Sequence, residues 1–286
     1  MEPRRTPEPE VAGLYREHHR RLTLLAYRIL GQWQSAEDVA SEALLKLLEN
    51  DPEDPAAWLT VVVTRLALDA ATSAERRRTE YVGPWLPDIV ATEADSVEVD
   101  SAVARLMQTL APLDRALVVL ADVAGFSGRE MAAALGLTPV AVRQRLSRAR
   151  GALRAEGPVA VAEPDLVQKL AGLLQRGDLP GFVSKLSEGA VLWTDSGGLS
   201  RAALNPVAGR DKVARFLLGI FHKYGAPSFG VRQGIGGLVL VVHSTDMERW
   251  VMLETDGERI TGIQVQQNPS KRVCDPGPWT ASSGDE

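Results

Sequence analysis

A chain of 286 residues, 45% apolar and 24% charged, has the length for two or three compact domains and the composition of an ordinary globular protein, which excludes a disordered or fibrous class. Its single cysteine, Cys274, excludes an internal disulfide framework, and four histidines at positions 18, 19, 222 and 243 form no metal-ligand spacing, so neither a structural metal nor a cofactor is expected. No apolar run approaches the roughly 20 residues that span a bilayer, and the opening MEPRRTPEPE lacks the apolar core of a secretion signal, which predicts a cytoplasmic protein with no membrane partner.

In chain order, the first marked helix start is at Ser35. Asp38 follows three residues later, and Glu37, Asp38 and Glu42 put negative charge in the first two turns, where the helix dipole favours it. Val39, Ala43 and Leu47 then give that helix one buried edge. Further on, Trp58, Val61, Val62, Arg65, Leu66 and Asp69 recur with helical spacing and run into Arg76, Arg77 and Arg78, predicting a long helix with an apolar inner face and a basic end. Residues 88–100 (DIVATEADSVEVD) hold five acids and no base, the composition of an extended or weakly structured connector.

Residues 126–154 carry the densest signal. Ser127 and Glu130 have capping-box spacing, Gly136 suits a turn that needs positive φ, and Thr138-Pro139 supplies an N-cap followed by proline at the first helical position. The second helix has an apolar stripe at Val142, Leu146, Ala149 and Leu153, with Arg143, Ser147, Arg150 and Arg154 on one polar flank and Gln144, Arg145 and Arg148 on the other. Six arginines against one acid give residues 127–154 a charge of +5 inside a chain of net charge −5. That is a helix-turn-helix with a basic second helix, suited to phosphate contacts; a solvated amphipathic hairpin is the bland alternative.

Past a hinge at 155–165, the pattern predicts helices over 166–174 and 179–186, a strand over 190–195 and a helix over 211–224. Strands follow over 238–244, 249–255 and 259–267, with Asp256-Gly257 favouring a tight hairpin turn. The tail, 274–286, has the composition of a mobile end that includes Trp279.

Two blocks carry a family resemblance. Residues 110–154, with the RQRLSRAR run at 143–150, resemble region 4 of bacterial extracytoplasmic-function sigma factors. Residues 14–78, through LYREHHRRLTLLAYRILG, SAEDVASEALLKLLE and AWLTVVVTRLALDAATSAERRR, resemble region 2 of the same group. A stand-alone helix-turn-helix repressor or activator has no need of this second block. The resemblance implies core RNA polymerase and promoter DNA as partners. Asp38, Glu42 and Lys46 would dock on the clamp helices of the largest polymerase subunit, and the flap region is a further implied polymerase contact. The loop at 49–57 would hold a flipped base of the −10 element, with Arg65, Arg76, Arg77 and Arg78 beside the opened strand. Thr138, Pro139, Val140, Arg143, Gln144, Ser147, Arg148 and Arg150 would face the −35 element, and the acidic connector would thread the polymerase cleft.

The element order of the C-terminal half resembles the cone-shaped α+β fold of the NTF2/SnoaL-like superfamily. WLPD at 85–88, DSGG at 195–198 and NPSK at 268–271 are similar to signature segments of sigma factors with a SnoaL-like extension, the group called ECF41. Ile89, Asp195-Ser196 with Leu199, and Ser270-Lys271-Arg272 depart from that group's usual WLPEP, DGGGK and NPDKL. The expected architecture is therefore multidomain: an all-α region 2 at 10–80, a linker at 81–105, an all-α helix-turn-helix region 4 at 106–156, an α+β domain at 163–272 and a tail at 273–286. The resemblance implies regulation in cis, with Trp85, Leu86 and Pro87 of the linker meeting Asp195, Gly197, Gly198, Asn268 and Pro269. The competing reading makes the C-terminal half an enzyme or a sensor of a small-molecule ligand, with Trp193, Asp195, His222, Tyr224, His243 and Asp246 as polar or aromatic candidates. No pair among them has a spacing that identifies acid–base chemistry, and no catalytic turnover is expected.

Overall fold

The computed structural model describes residues 8–78, 81–92, 102–155, 160–224, 227–244 and 247–275. The chain divides into two compact units, one from residues 1–77 with 103–156, the other from 78–102 with 157–276. Trp279 and the acids from Glu93 to Asp100 lie outside the described residues.

The first unit is all-helical: α1 (Glu8–Leu30), α2 (Trp33–Leu48), α3 (Pro55–Arg78), α4 (Ala102–Thr109), α5 (Pro112–Asp122), α6 (Gly128–Leu135) and α7 (Pro139–Ala155). The start of α2 differs from the expectation at Ser35. Gly31, at φ 67°, ends α1 and the chain re-enters helix at Trp33, capped by Gln32 with no side-chain hydrogen bond. The indole, 3% exposed, packs edge-on against Tyr27 with ring centroids 5.5 Å apart. Burial of that ring outweighs a serine cap worth about 1 kcal/mol, so the first turn carries no acid. Val39, Ala43 and Leu47 are buried as expected.

Arg115 of α5 joins the two halves of this unit. Its side chain is fully buried, Nε donating to the Ile29 carbonyl (3.1 Å) and Nη1 to the Leu110 carbonyl (2.7 Å), with Glu75 Oε1 at 3.6 Å. The carbonyl end of α1 is the negative pole of that helix, which favours a cation there. Burial lowers the Arg115 pKa from its ordinary value, and the nearby Glu75 carboxylate opposes the shift.

Among the described residues, the second unit is a nine-stranded mixed sheet with three α-helices. Its elements are β1 (Ile89–Thr92), β2 (Ala160–Val161), α8 (Pro164–Gln175), α9 (Leu179–Ser184), β3 (Leu186–Asp195), β4 (Val207–Ala208), α10 (Arg210–Tyr224), β5 (Ser228–Gly234), β6 (Gly237–His243), β7 (Glu248–Thr255), β8 (Ile260–Gln266) and β9 (Arg272–Asp275). Strands run in the order β4-β3-β8-β7-β6-β5-β1-β9, with β2 on β7. Two pairings, β3 with β8 and β1 with β9, are parallel, so the sheet is not the purely antiparallel one the run of C-terminal strands suggests. The Asp256 turn forms as expected: its amide donates to the Arg259 carbonyl and its carboxylate accepts from the amides of Glu258 and Arg259.

Residues 89–92 are not a solvated tether; they form β1, antiparallel to β5 and parallel to β9. Ile89, Val90 and Ala91 are each at most 6% exposed, and the apolar IVA triplet decides the outcome ahead of the acids around it. Ile89 and Ala91 pack with Val239, Val241 and Trp250 on one face of the sheet, while α8, α9 and α10 cover the other. Strand alternation separates these faces: on β3, Leu192 and Thr194 point to the helices and Asp195 to the linker side. Among the described residues no helix is long and apolar enough to cross a membrane.

Candidate nucleic-acid interface and linker clasp

The helix-turn-helix is built from local caps. The Glu130 amide donates to Ser127 Oγ (3.3 Å) and the Ser127 amide to Glu130 Oε2 (2.7 Å). Hydrogen bonding from the Ser127 side chain, and next from its amide, holds the Glu130 carboxyl below the usual range. Gly136 takes φ 65°, a conformation that costs glycine nothing, and Thr138 Oγ1 accepts from the Ala141 amide at 3.2 Å. Val142, Leu146 and Ala149 are buried and Leu153 half-buried, which fixes the rotation of α7. Thr138, Pro139, Val140, Arg143, Gln144, Ser147, Arg148 and Arg150 are consequently all exposed. Two arginines serve the packing: Arg145 pairs with Asp114 at 2.9 Å and Arg150 with Asp122, tying α7 to α5.

On α2, Asp38, Glu42 and Lys46 fall four residues apart in one exposed row, Lys46 Nζ lying 3.2 Å from Glu42 Oε1. Leu45 beside them is 64% exposed, a bulky apolar residue outside the buried stripe that sequence reading passed over. Arg65 is exposed but donates from Nε to the Ala134 carbonyl at 2.6 Å, so in this arrangement it caps α6 instead of facing free solvent. Helix α3 reaches Arg78, and the side chains of Arg76, Arg77 and Arg78 lie outside the described residues.

The linker and the C-terminal domain meet at Asp195, which is fully buried. Its Oδ1 accepts from the Tyr81 hydroxyl (2.6 Å) and the Gly197 amide (3.0 Å); Oδ2 accepts from the Leu86 amide (2.9 Å) and Lys271 Nζ (2.8 Å). Lys271 Nζ also donates to the Leu86 carbonyl at 2.8 Å and lies 4.0 Å from the Trp85 ring centroid and 4.7 Å from that of Tyr81. Gln266 Nε2 donates to the Pro87 carbonyl (3.2 Å) and Asn268 Nδ2 to the Tyr81 hydroxyl (3.5 Å). A buried carboxylate with four donors and a buried ammonium with two acceptors and two π faces form a closed polar cluster, the arrangement a buried ion pair needs to hold together.

Of the expected contacts, Trp85, Leu86, Pro87, Asp195, Gly197, Gly198 and Asn268 come together here. Gly197 has φ 57°, a backbone that favours glycine, and a Cβ on it would sit 2.6 Å from Asn268 Nδ2 and so displace that amide from the cluster. Pro269 is exposed and opens the 3-10 turn Pro269–Lys271, capped by Asn268, that aims Lys271 inward. Tyr81, Gln266 and Lys271 were missed. Lys271 stands within NPSK at 268–271, where the resemblance gives the contact to Asn268 and Pro269.

Burial, and next the hydrogen bond to Asp195, push the Tyr81 hydroxyl pKa well above the ordinary tyrosine value. Its stabilising contribution is present in full below about pH 10, the unfolded value, and is lost as pH rises through the higher folded value. Following tyrosinate absorbance during alkaline titration, the Tyr81→Phe variant is expected to lack a late ionisation step. Loss of an ordinary step near pH 10 instead would contradict the assignment.

Among the described residues, those named for an enzyme do not come together in one site. Asp195 belongs to the clasp, His222 is exposed and His243 pairs with Glu248 at 3.2 Å. Asp246 and the side chain of Tyr224 lie outside the described residues. Neither Trp193, Asp195, His222 nor His243 lines the apolar cavity beneath α10.

A basic helix-turn-helix behind a helical bundle, with a mixed-sheet domain holding the linker, defines a multidomain DNA-binding protein of the transcription-initiation class. Residues 14–77 match Sigma-70 region 2 and residues 100–153 match Sigma-70, region 4. The ECF RNA polymerase sigma factor SigJ of Mycobacterium tuberculosis (strain H37Rv) is 37% identical over 229 residues, covering 74% of this chain and 73% of SigJ. The probable ECF RNA polymerase sigma factor SigI of the same species is 27% identical over 279 residues, 91% of this chain and 94% of SigI. The crystal structure of M. tuberculosis SigJ superposes with a TM-score of 0.77 at 29% identity, over 91% of this chain and 97% of that one. The chain belongs to the extracytoplasmic-function RNA polymerase sigma factors, with the C-terminal mixed-sheet extension that SigJ shares.

Proposed function

We propose that this sigma factor directs core RNA polymerase to promoters in the cytoplasm without catalytic turnover of its own, and that its C-terminal domain regulates it in cis by capturing the linker. The exposed row Asp38, Glu42 and Lys46, with Leu45 beside it, docks on the clamp helices of the largest subunit, and region 4 meets the flap region. Helix α7 enters the −35 major groove with Arg143, Gln144, Ser147 and Arg148, while Thr138, Pro139, Val140 and Arg150 serve the flanking backbone; Arg65, Arg76, Arg77 and Arg78 serve the −10 strand. The observation that carries the regulatory part is the buried Asp195–Lys271 pair closed around Leu86. Linker residues held there cannot also thread the polymerase cleft, so the clasped form is the less active one, and anything that binds one form better shifts the balance.

The recognition helix is tested with the holoenzyme on a −35 duplex across a salt series. Arg143→Ala and Arg148→Ala are each expected to weaken binding. A base reader loses about 1–3 kcal/mol and relaxes preference at one position, whereas a phosphate contact weakens all sequences alike and reduces the salt slope by about 1. Unchanged affinity and slope in both variants would remove α7 from the interface.

A further inference from the structure

Between helix α10 and the sheet face it covers lies a partly open cavity of about 100 Å³. Fifteen of its nineteen lining residues are apolar, among them Leu217, Ile220 and Phe221 from α10 and Leu192, Ile263 and Val265 from the sheet. The other four are Thr194, Ser244, Arg249 and Gln267, and each is engaged within the domain. Thr194 Oγ1 donates to the Ala203 carbonyl (3.1 Å), Ser244 Oγ to the Met247 carbonyl (3.1 Å), Arg249 Nη1 to Ser244 Oγ, and Gln267 Oε1 accepts from Ser200 Oγ (3.0 Å). A charged or strongly polar guest would surrender its hydration to hydrocarbon walls. An apolar guest loses little: dry cavities of about 150 Å³ lined by such side chains take up benzene.

The cavity lies back to back with the clasp. On β3, Thr194 faces the cavity and the next residue, Asp195, holds the linker; at the end of β8, Val265 and the following Gln267 line the cavity and Gln266 between them donates to the Pro87 carbonyl. The two strand ends are bound to each other, Thr194 paired with Val265 and Asp195 with Gln266, and the Asp195 carbonyl accepts from the amides of Gln267 (2.7 Å) and Asn268 (3.1 Å).

We propose that this cavity binds a neutral, largely apolar molecule about the size of a single ring, and that its occupancy braces β3 and β8 so as to favour the clasped linker. The second half rests on the cis-regulatory reading above; the first stands without it.

Toluene and benzoate, similar in size and opposite in charge demand, are the probes, used with the full chain. Toluene is expected to raise the thermal midpoint saturably by about 2–4 °C while benzoate does not. Two substitutions of half-buried wall residues, Leu217→Trp and Val242→Phe, are expected to keep the far-UV circular dichroism of the parent and abolish the toluene response. No saturable shift with toluene, an equal shift with benzoate, or a response that survives in both filled variants would overturn the site. Saturating toluene is further expected to lower promoter-specific transcription by the reconstituted holoenzyme at least twofold, an effect absent from the filled variants. Unchanged transcription beside saturable binding would overturn the link to the clasp alone, and the cis-regulatory reading is judged separately by variants at Asp195.

Discussion

Replacing Asp195 with alanine is expected to destabilise the second unit by about 3–5 kcal/mol, the cost of leaving one member of a buried ion pair without its partner. The substitution strands Lys271 Nζ, 5% exposed as a residue, with only the Leu86 carbonyl and two aromatic faces, and removes acceptors from the Tyr81 hydroxyl and the amides of Leu86 and Gly197. Lys271→Met should cost less. Asp195 would then keep three donors, and the methionine stem would still fill the space between the Trp85 and Tyr81 rings. Asp195→Asn should fall between them, since one carboxylate oxygen becomes an amide donor facing other donors. Urea unfolding followed by tryptophan fluorescence checks the order, with Trp85 reporting on the clasp itself. Equal midpoints for Asp195→Ala and Lys271→Met would show that the carboxylate is not the centre of the cluster.

The second large effect belongs to Arg115. Arg115→Ala is expected to cost the first unit about 3 kcal/mol, because it empties a fully buried volume and leaves the Ile29 and Leu110 carbonyls without their side-chain donor. Arg115→Met restores most of the volume and removes the penalty of burying a cation, so it should recover about half of that loss. Hydrogen exchange across α1 and α5 reads the result locally: faster exchange at the C-terminal end of α1 is expected in the alanine variant. Protection equal to that of the parent protein would mean that Arg115 does not hold these helices together.

Local chemistry explains which parts of this structure were legible from sequence. The caps at Ser127 and Thr138, the Gly136 turn and the buried stripe of α7 depend on residues three to five apart, and all are present. The start of α2 depends on burial of Trp33 against Tyr27, and the nearby Ser35-Asp38 spacing pointed two residues too late. β1 is masked by the five acids of 88–100 that surround its apolar triplet, and its partners Gly234 and Arg272 lie more than a hundred residues away. β5, SFGVRQG, carries two glycines and an irregular burial pattern, so alternation gave no signal. At the clasp, the short segments around Trp85, Asp195 and Asn268 were visible as likenesses to a group. Tyr81 and Lys271 reach Asp195 across 114 and 76 positions of chain, and only the folded sheet brings them together.

In the proposed mechanism, linker capture at Asp195 restrains a working sigma factor. Run-off transcription with purified core polymerase, comparing the parent protein with Asp195→Asn at concentrations where both saturate the core enzyme, tests it most directly. Promoter-specific transcripts are expected from both, with a yield from the variant several-fold above the parent. Equal yields, or a failure of both proteins to bind core polymerase and start transcripts at any promoter, would contradict it.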